Sequence, residues 1–202
     1  MVTFVISGKN ATGKTEFCEY LNKKYNFEII QIRETLEKIT KYKDKDIAYK
    51  LYKIKKTGVL EAILPFILNK ISNSKNIVIE GILSPEEVEL LKKQKLDFYL
   101  VYLDANEAVR LERVIPRSKT VNPKRQIKNS DKFRVDIMNV TELKKISDLI
   151  IVNDGKTKPE FHSAINSGIK RMLIKKLTSV LNQNVKKNKI VSVKHYKSNI
   201  KA

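Results

Sequence analysis

The stretch Val2-Thr3-Phe4-Val5-Ile6-Ser7-Gly8-Lys9-Asn10-Ala11-Thr12-Gly13-Lys14-Thr15 decides how the rest of the chain is read. Val2 to Ser7 is short, β-branched and aromatic, and Gly8 ends it, which reads as a buried strand. Beyond Gly13 the apolar residues take helical spacing, with Phe17, Tyr20 and Leu21 on one face up to about Tyr25. Between strand and helix lies G-x-x-x-x-G-K-[ST], a phosphate-binding pattern. Gly8 and Gly13 let the main chain curl so that successive amides across Asn10, Ala11 and Thr12 point at phosphate oxygens. The helix that follows, from Lys14 through Thr15 and Glu16, offers free N–H groups and a positive dipole end to the same anion. Lys14 is expected to reach the β and γ phosphates, and the Thr15 hydroxyl to ligate Mg²⁺. The strand before and the helix after make binding of a nucleoside triphosphate, ATP with Mg²⁺, the firmest expectation.

Further along, short apolar runs alternate with helical text. Strands are expected at Phe27–Ile32, Asn76–Glu80, Phe98–Leu103 and Asp148–Val152. Ser84 followed by Pro85, Glu86 and Glu87 reads as a helix start. Helices are expected over most of Glu34–Asn73, interrupted near Thr57-Gly58 and Pro65, and over Glu107–Val114, Lys132–Lys145 and Pro159 to about Leu181. Arg117–Ser130 is polar and basic and contains Pro123, and reads as a mobile loop. Strands alternating with helices indicate a parallel sheet covered on both faces. The fold class is therefore α/β, a five-stranded parallel sheet flanked by helices. A domain over residues 1–181, with a lid at about 115–131, would precede a basic tail at 182–202.

The chain has 202 residues, 42% hydrophobic and 31% charged, which is a globular composition. No apolar run approaches the roughly 20 residues of a spanning helix, and the opening residues lack a secretory pattern. A cytoplasmic protein with no membrane partner is expected. One cysteine, Cys18, and two histidines rule out a cysteine or histidine metal cluster. Forty-one Lys and Arg against 22 Asp and Glu give a net charge of +19. Residues 161–202 hold ten basic residues and no acidic one. Such a surplus suits a polyanionic partner, nucleotide or nucleic acid, or reflects lysine as a default surface residue.

The segments IVIEGILSPEEVELL (Ile77 to Leu91), FYLVYLDANEAVRLERVIPR (Phe98 to Arg117) and DLIIVNDG (Asp148 to Gly155) extend the reading. With the phosphate loop, they make residues 1–175 resemble archaeal P-loop nucleotide-kinase-like proteins related to dephospho-coenzyme A kinase and adenylate kinase. The resemblance implies a three-layer P-loop NTPase fold with a mobile lid and phosphoryl transfer from ATP. Under it, Arg110 and Arg113 match an Arg-x-x-Arg on the helix entering the lid, and Arg117 a lid arginine; all three would clamp phosphates. Independently, i and i+3 on a helix can face one anion. Asn153 matches a position whose loop packs on adenine, with an ordinary turn asparagine as the competing reading. Glu80, where relatives more often have Asp, would hold Mg²⁺ through water or orient the acceptor. Glu34 is a looser candidate base.

Two departures weigh against a monophosphate acceptor. Leu83 and Glu37 stand where such kinases place arginines that grip the acceptor's phosphate, and Arg33, Lys38 or Lys41 would replace them only as less rigid contacts. Cys18 reads as core rather than nucleophile. Tyr42, Tyr49 and Tyr52 read as turned toward the core, with base stacking as the alternative. The sequence thus leads to a phosphotransferase acting on a nucleotide-like small molecule. The alternatives are a kinase or ATPase acting on DNA or RNA and a non-catalytic ATP-binding switch.

Overall fold

The computed structural model describes residues 2–41, 45–73, 76–117, 122–155 and 157–198. Tyr42 and parts of two further lysine- and arginine-rich stretches, residues 41–56 and 117–128, lie outside them, as do the side chains of most of the basic tail, Tyr196 included. Five strands form one parallel sheet: β1 (Val2–Ser7), β2 (Glu28–Gln31), β3 (Asn76–Ile82), β4 (Tyr99–Asp104) and β5 (Leu149–Val152), in the order β2-β3-β1-β4-β5. The helices between them are α1 (Lys14–Tyr25), α2 (Ile32–Thr40), α3 (Lys45–Ile54), α4 (Gly58–Asn73), α5 (Pro85–Lys93), α6 (Glu107–Val114), α7 (Pro123–Lys132), α8 (Leu143–Ile146) and α9 (Lys158–Ser198).

Chain order reverses about β1, because β2 and β3 lie to one side and β4 and β5 to the other. In open parallel sheets the crevice at the carboxyl end of such a switch point is where ligands bind. Val5, Ile77, Ile79, Leu100 and Tyr102 share a core with Leu36, Ile63, Val88 and Leu91 of α2, α4 and α5. Residues of opposite parity, Phe4, Ile6, Val78 and Val101, are equally buried. The sheet is therefore covered on both faces, which explains strands that read as unbroken apolar runs.

Local signals account for several boundaries. Ser84 Oγ accepts from the Glu87 amide at 3.2 Å while Glu87 Oε2 accepts from the Ser84 amide at 3.1 Å, closing a capping box at the start of α5. Pairing of β1 with β3 slips after Ile6, where Ser7 aligns with Ile82. Gly81, at φ 113°, takes up the irregularity, and β3 continues two residues past its expected end at Glu80.

Four expectations are corrected. Arg117–Ser130 is not all loop: α7 starts at Pro123, and Asn122 caps it by accepting from the Arg125 amide at 3.0 Å. Proline costs nothing in a first helical turn, where its missing N–H has no partner to lose; residues 118–121 of the expected lid lie outside the described residues. Lys132–Lys145 is not one helix but a π-helical turn (Phe133–Ile137), a 3₁₀ turn (Val140–Glu142) and α8, broken where Asn139 takes φ 56°. The last helix continues from the expected end at Leu181 to Ser198. Pro65 interrupts nothing, since α4 runs through it.

The chain divides into two compact units, residues 1–165 and residues 166–202. The first contains the whole sheet. The described residues of the second, 166–198, belong to α9, in which Arg171 Nε donates to the Ser167 carbonyl at 3.3 Å. Among the described residues no helix is long and apolar enough to cross a membrane.

Candidate functional site

The curl between β1 and α1 rests on positions where only a small residue fits. Gly8 has φ 137° and Gly13 φ 101°. A Cβ on Gly8 would stand 2.2 Å from the Leu103 carbonyl oxygen, and one on Gly13 2.6 Å from Asn153 Nδ2. The loop is thus pressed against the ends of β4 and β5. Asn153, 4% exposed, donates from Nδ2 to the Thr12 carbonyl at 3.0 Å. It supports the loop from beneath, a contact that the adenine reading did not anticipate.

Lys14 is buried and folds back over the curl, its Nζ donating to the carbonyls of Gly8 at 3.0 Å and Lys9 at 2.6 Å. Burial, reinforced by the nearby Arg134 charge, pushes the ammonium pKa down to about 7. Thr15 Oγ1 donates to Glu80 Oε1 at 2.8 Å, and Gln31 Nε2 donates to Glu80 Oε2 at 2.8 Å. Thr15 and Glu80 thus meet, as the sequence suggested, and Gln31 is an added partner. A hydroxyl and a carboxylate at this spacing are hard oxygen donors suited to Mg²⁺, which commonly takes one or two protein ligands and completes its shell with water and phosphate. Among the described residues no group of three or more His, Cys, Asp or Glu forms a metal cage of its own.

The three arginines part company. Arg113 lines a cavity of about 740 Å³ over the loop together with Asn10, Ala11, Gly13, Lys14, Thr15, Glu16, Glu80 and Arg117. It donates to the carbonyls of Ala11 at 3.2 Å and Asn153 at 2.8 Å, so loop, α6 and the end of β5 are tied through one guanidinium. Burial and the Arg117 charge hold its pKa below the usual value. Arg110, 2% exposed, turns away into a bidentate pair with Asp131 of α7, at 3.0 and 2.7 Å, with a longer 3.4 Å contact to the Asn10 carbonyl. It does not line the cavity, so the i, i+3 pair does not present both cations to one anion. Glu16 lines the cavity with its carboxylate engaged by Lys158 Nζ and His162 Nε2, each at 2.8 Å. Cys18 is buried, and burial pushes its thiol pKa up, as suits a core residue.

Arg134 is the residue that sequence reading missed. It sits in the π-helical turn after α7, with Nε donating to Ser130 Oγ at 3.4 Å. Its Nη1 is buried with no hydrogen-bond partner among the described residues. Such an orphaned donor is expensive unless a ligand completes it, and π turns often mark functional sites. Arg134 lines both the loop cavity and an adjoining cavity of about 490 Å³. The second cavity is walled by Tyr49, Tyr52 and Phe133 and bordered by Arg33, Glu34 and Glu37. Tyr49 therefore faces a cavity rather than packing away, whereas Tyr52 is 7% exposed.

A phosphate loop after the central strand of a parallel β2-β3-β1-β4-β5 sheet, with helices on both faces, defines an α/β protein of the P-loop NTPase fold. A protein-family profile described as an AAA domain matches residues 5–138, and the chain belongs to that family. No curated protein matches the sequence. Solved structures share the fold at low identity. Shikimate kinase from Aquifex aeolicus is 20% identical, with 84% of this chain and 96% of that chain covered and a TM-score of 0.54. Shikimate kinase from Acinetobacter baumannii, in complex with shikimate, is 17% identical over 88% and 96%, with a TM-score of 0.57. A sugar kinase from Janibacter is 12% identical over 84% and 95%, with a TM-score of 0.60.

Proposed function

We propose that the protein is a phosphotransferase that moves the γ-phosphate of ATP to a nucleotide-like small molecule. One observation carries the reading: Lys14, Glu80 and Arg134 line both cavities. Those three side chains mark a junction where a donor held over the loop and an acceptor held beside Tyr49 would meet. The shikimate and sugar kinases among the structural neighbours support small-molecule transfer in general.

The loop amides would hold the phosphates, and Lys14 would exchange its contacts with the Gly8 and Lys9 carbonyls for the β and γ oxygens. Mg²⁺, which Thr15 would hold directly and Glu80 only through bound water, would neutralise charge shared between those phosphates. The attacking acceptor oxygen forms a bond to the γ-phosphorus as the bond from that phosphorus to the β–γ bridging oxygen breaks, and ADP departs. A hydroxyl acceptor would pass its proton to the Glu80 carboxylate. Arg113, Arg117 and Arg134 would stabilise the equatorial oxygens, which suits a reaction governed by positioning and cationic stabilisation. Arg110 would act indirectly, by fixing α7 and the turn that carries Arg134.

The test is ATP consumption and product identification with a panel of nucleosides, nucleotides, dephospho-coenzyme A and oligonucleotides, for the native chain and Lys14→Ala. Transfer to a small molecule that Lys14→Ala abolishes is the expected result. Undiminished transfer by the variant, or transfer only to oligonucleotides, contradicts it.

A further inference from the structure

The charge and lining of the second cavity bear on what the acceptor is, granted the phosphotransferase reading above. Among its described lining residues the cations are Lys14, Arg33 and Arg134. Lys14 and Arg134 also line the donor cavity, where a terminal phosphate would claim them. Arg33 is partly engaged: its Nε donates to Glu37 Oε1 at 3.1 Å, and its side chain is 62% exposed. Among the described lining residues this leaves only the Nη groups of one exposed, carboxylate-paired arginine for an acceptor's own phosphate or carboxylate.

Three carboxylates, Glu34, Glu37 and Glu80, border the same space. They would repel an anionic acceptor and accept hydrogen bonds from hydroxyl or amino groups. Leu83, 6% exposed, adds apolar surface. Tyr49 and Phe133, which line the same space, have ring centroids 5.0 Å apart, and the Tyr52 ring lies 5.9 Å from that of Phe133. Tyr49 is 41% exposed, with Lys53 Nζ 4.7 Å from its ring centroid, and the remaining exposed part of its ring can stack against a planar group.

We infer that this cavity takes an uncharged nucleoside, its base against Tyr49 and Phe133, its donor groups toward Glu34 and Glu37 and one hydroxyl at the Glu80 end. The reaction is nucleoside plus nucleoside triphosphate giving nucleoside monophosphate plus diphosphate, with the hydroxyl proton released through Glu80.

The experiment uses the full chain with Mg·ATP and five acceptors, adenosine, cytidine, AMP, CMP and shikimate, while calorimetry follows Mg·ATP binding separately. Each nucleoside should be phosphorylated with kcat/KM at least roughly tenfold above its monophosphate. Glu37→Arg, which adds a cation and releases Arg33, should move that ratio about tenfold toward the monophosphate. Preference for a monophosphate or for shikimate overturns the assignment and leaves the kinase reading standing. So does Mg·ATP binding without transfer to any of the five compounds, or an unmoved ratio in Glu37→Arg. Absence of Mg·ATP binding removes the kinase reading itself.

Discussion

Arg110 of α6 and Asp131 of α7 form a bidentate ion pair, at 3.0 and 2.7 Å, in which the guanidinium is 2% and the carboxylate 17% exposed. The pair anchors the segment that carries Arg134 three residues later, and it takes Arg110 away from the phosphate-facing role that its spacing from Arg113 suggested. Asp131→Asn would strand a buried cation and is expected to cost about 3 kcal/mol. Arg110→Met leaves only a partly exposed carboxylate and should cost less, as urea unfolding of both variants would show. Nucleotide affinity should fall less than about tenfold in Arg110→Met and more than that in Arg113→Met or Arg117→Met. Calorimetric titration of the three variants with Mg·ATP decides it.

Arg134→Met should lower turnover about 100- to 1,000-fold, the scale seen when one donor to a developing charge is removed. Donor affinity should change far less. The same substitution removes a cation beside Lys14 and should raise the Lys14 pKa. Steady-state kinetics and a pH profile of nucleotide binding test both halves.

Burial, and then the Arg134 charge, push the Lys14 pKa down to about 7 from the ordinary lysine value of 10.5. Between those values the folded chain binds fewer protons than the unfolded one, so this group makes stability rise with pH across that window, by up to about 1.4 kcal/mol per unit. A triphosphate restores the favourable surroundings of the charge. Binding at pH 8 should therefore take up most of one proton, seen as a buffer-dependent heat that Lys14→Met loses.

Glu87 has the opposite sense. It is fully buried at the α5 cap, and burial pushes its pKa up to about 8 against the Leu83 and Ser84 amides that favour its charge. The folded state thus holds the extra proton, and this group makes stability fall as pH rises from about 4.5 to about 8. Glu87→Gln keeps the acceptor for the cap but cannot ionise. Its melting temperature should decline less over that range than the native protein's.

Gly8→Ala would bring a methyl to 2.2 Å from a backbone carbonyl, whereas Gly13→Ala meets the Asn153 side chain at 2.6 Å. Backbone cannot yield as a side chain can, so Gly8→Ala should be the more damaging. A cost above about 3 kcal/mol is expected, since positive φ adds its own strain. Asn153→Ala should partly rescue Gly13→Ala and leave Gly8→Ala unchanged, measured by thermal unfolding.

Strands of four to seven residues, the helix start at Ser84, and the helix at Glu107–Val114 were legible because each is written in neighbouring residues. Pro123 was misread for the same reason: as a residue type it signals a break, and only Asn122 bonded to the Arg125 amide shows that it opens a helix. Arg134 left no signal at all, since a basic residue in the text KFRVD looks like any solvated helix face. Its burial depends on the π turn and on segments distant in sequence.

By itself the sequence determined the phosphate loop and the parallel α/β class, since glycine placement, helix-start chemistry and apolar runs act over a few residues. Only the tertiary structure decided which arginines face the loop, that Arg110 is held by Asp131, and that Lys14, Glu80 and Arg134 border two cavities. Those outcomes follow from which long-range partner claims each charge once the chain is packed, and charge spacing along a sequence does not specify that.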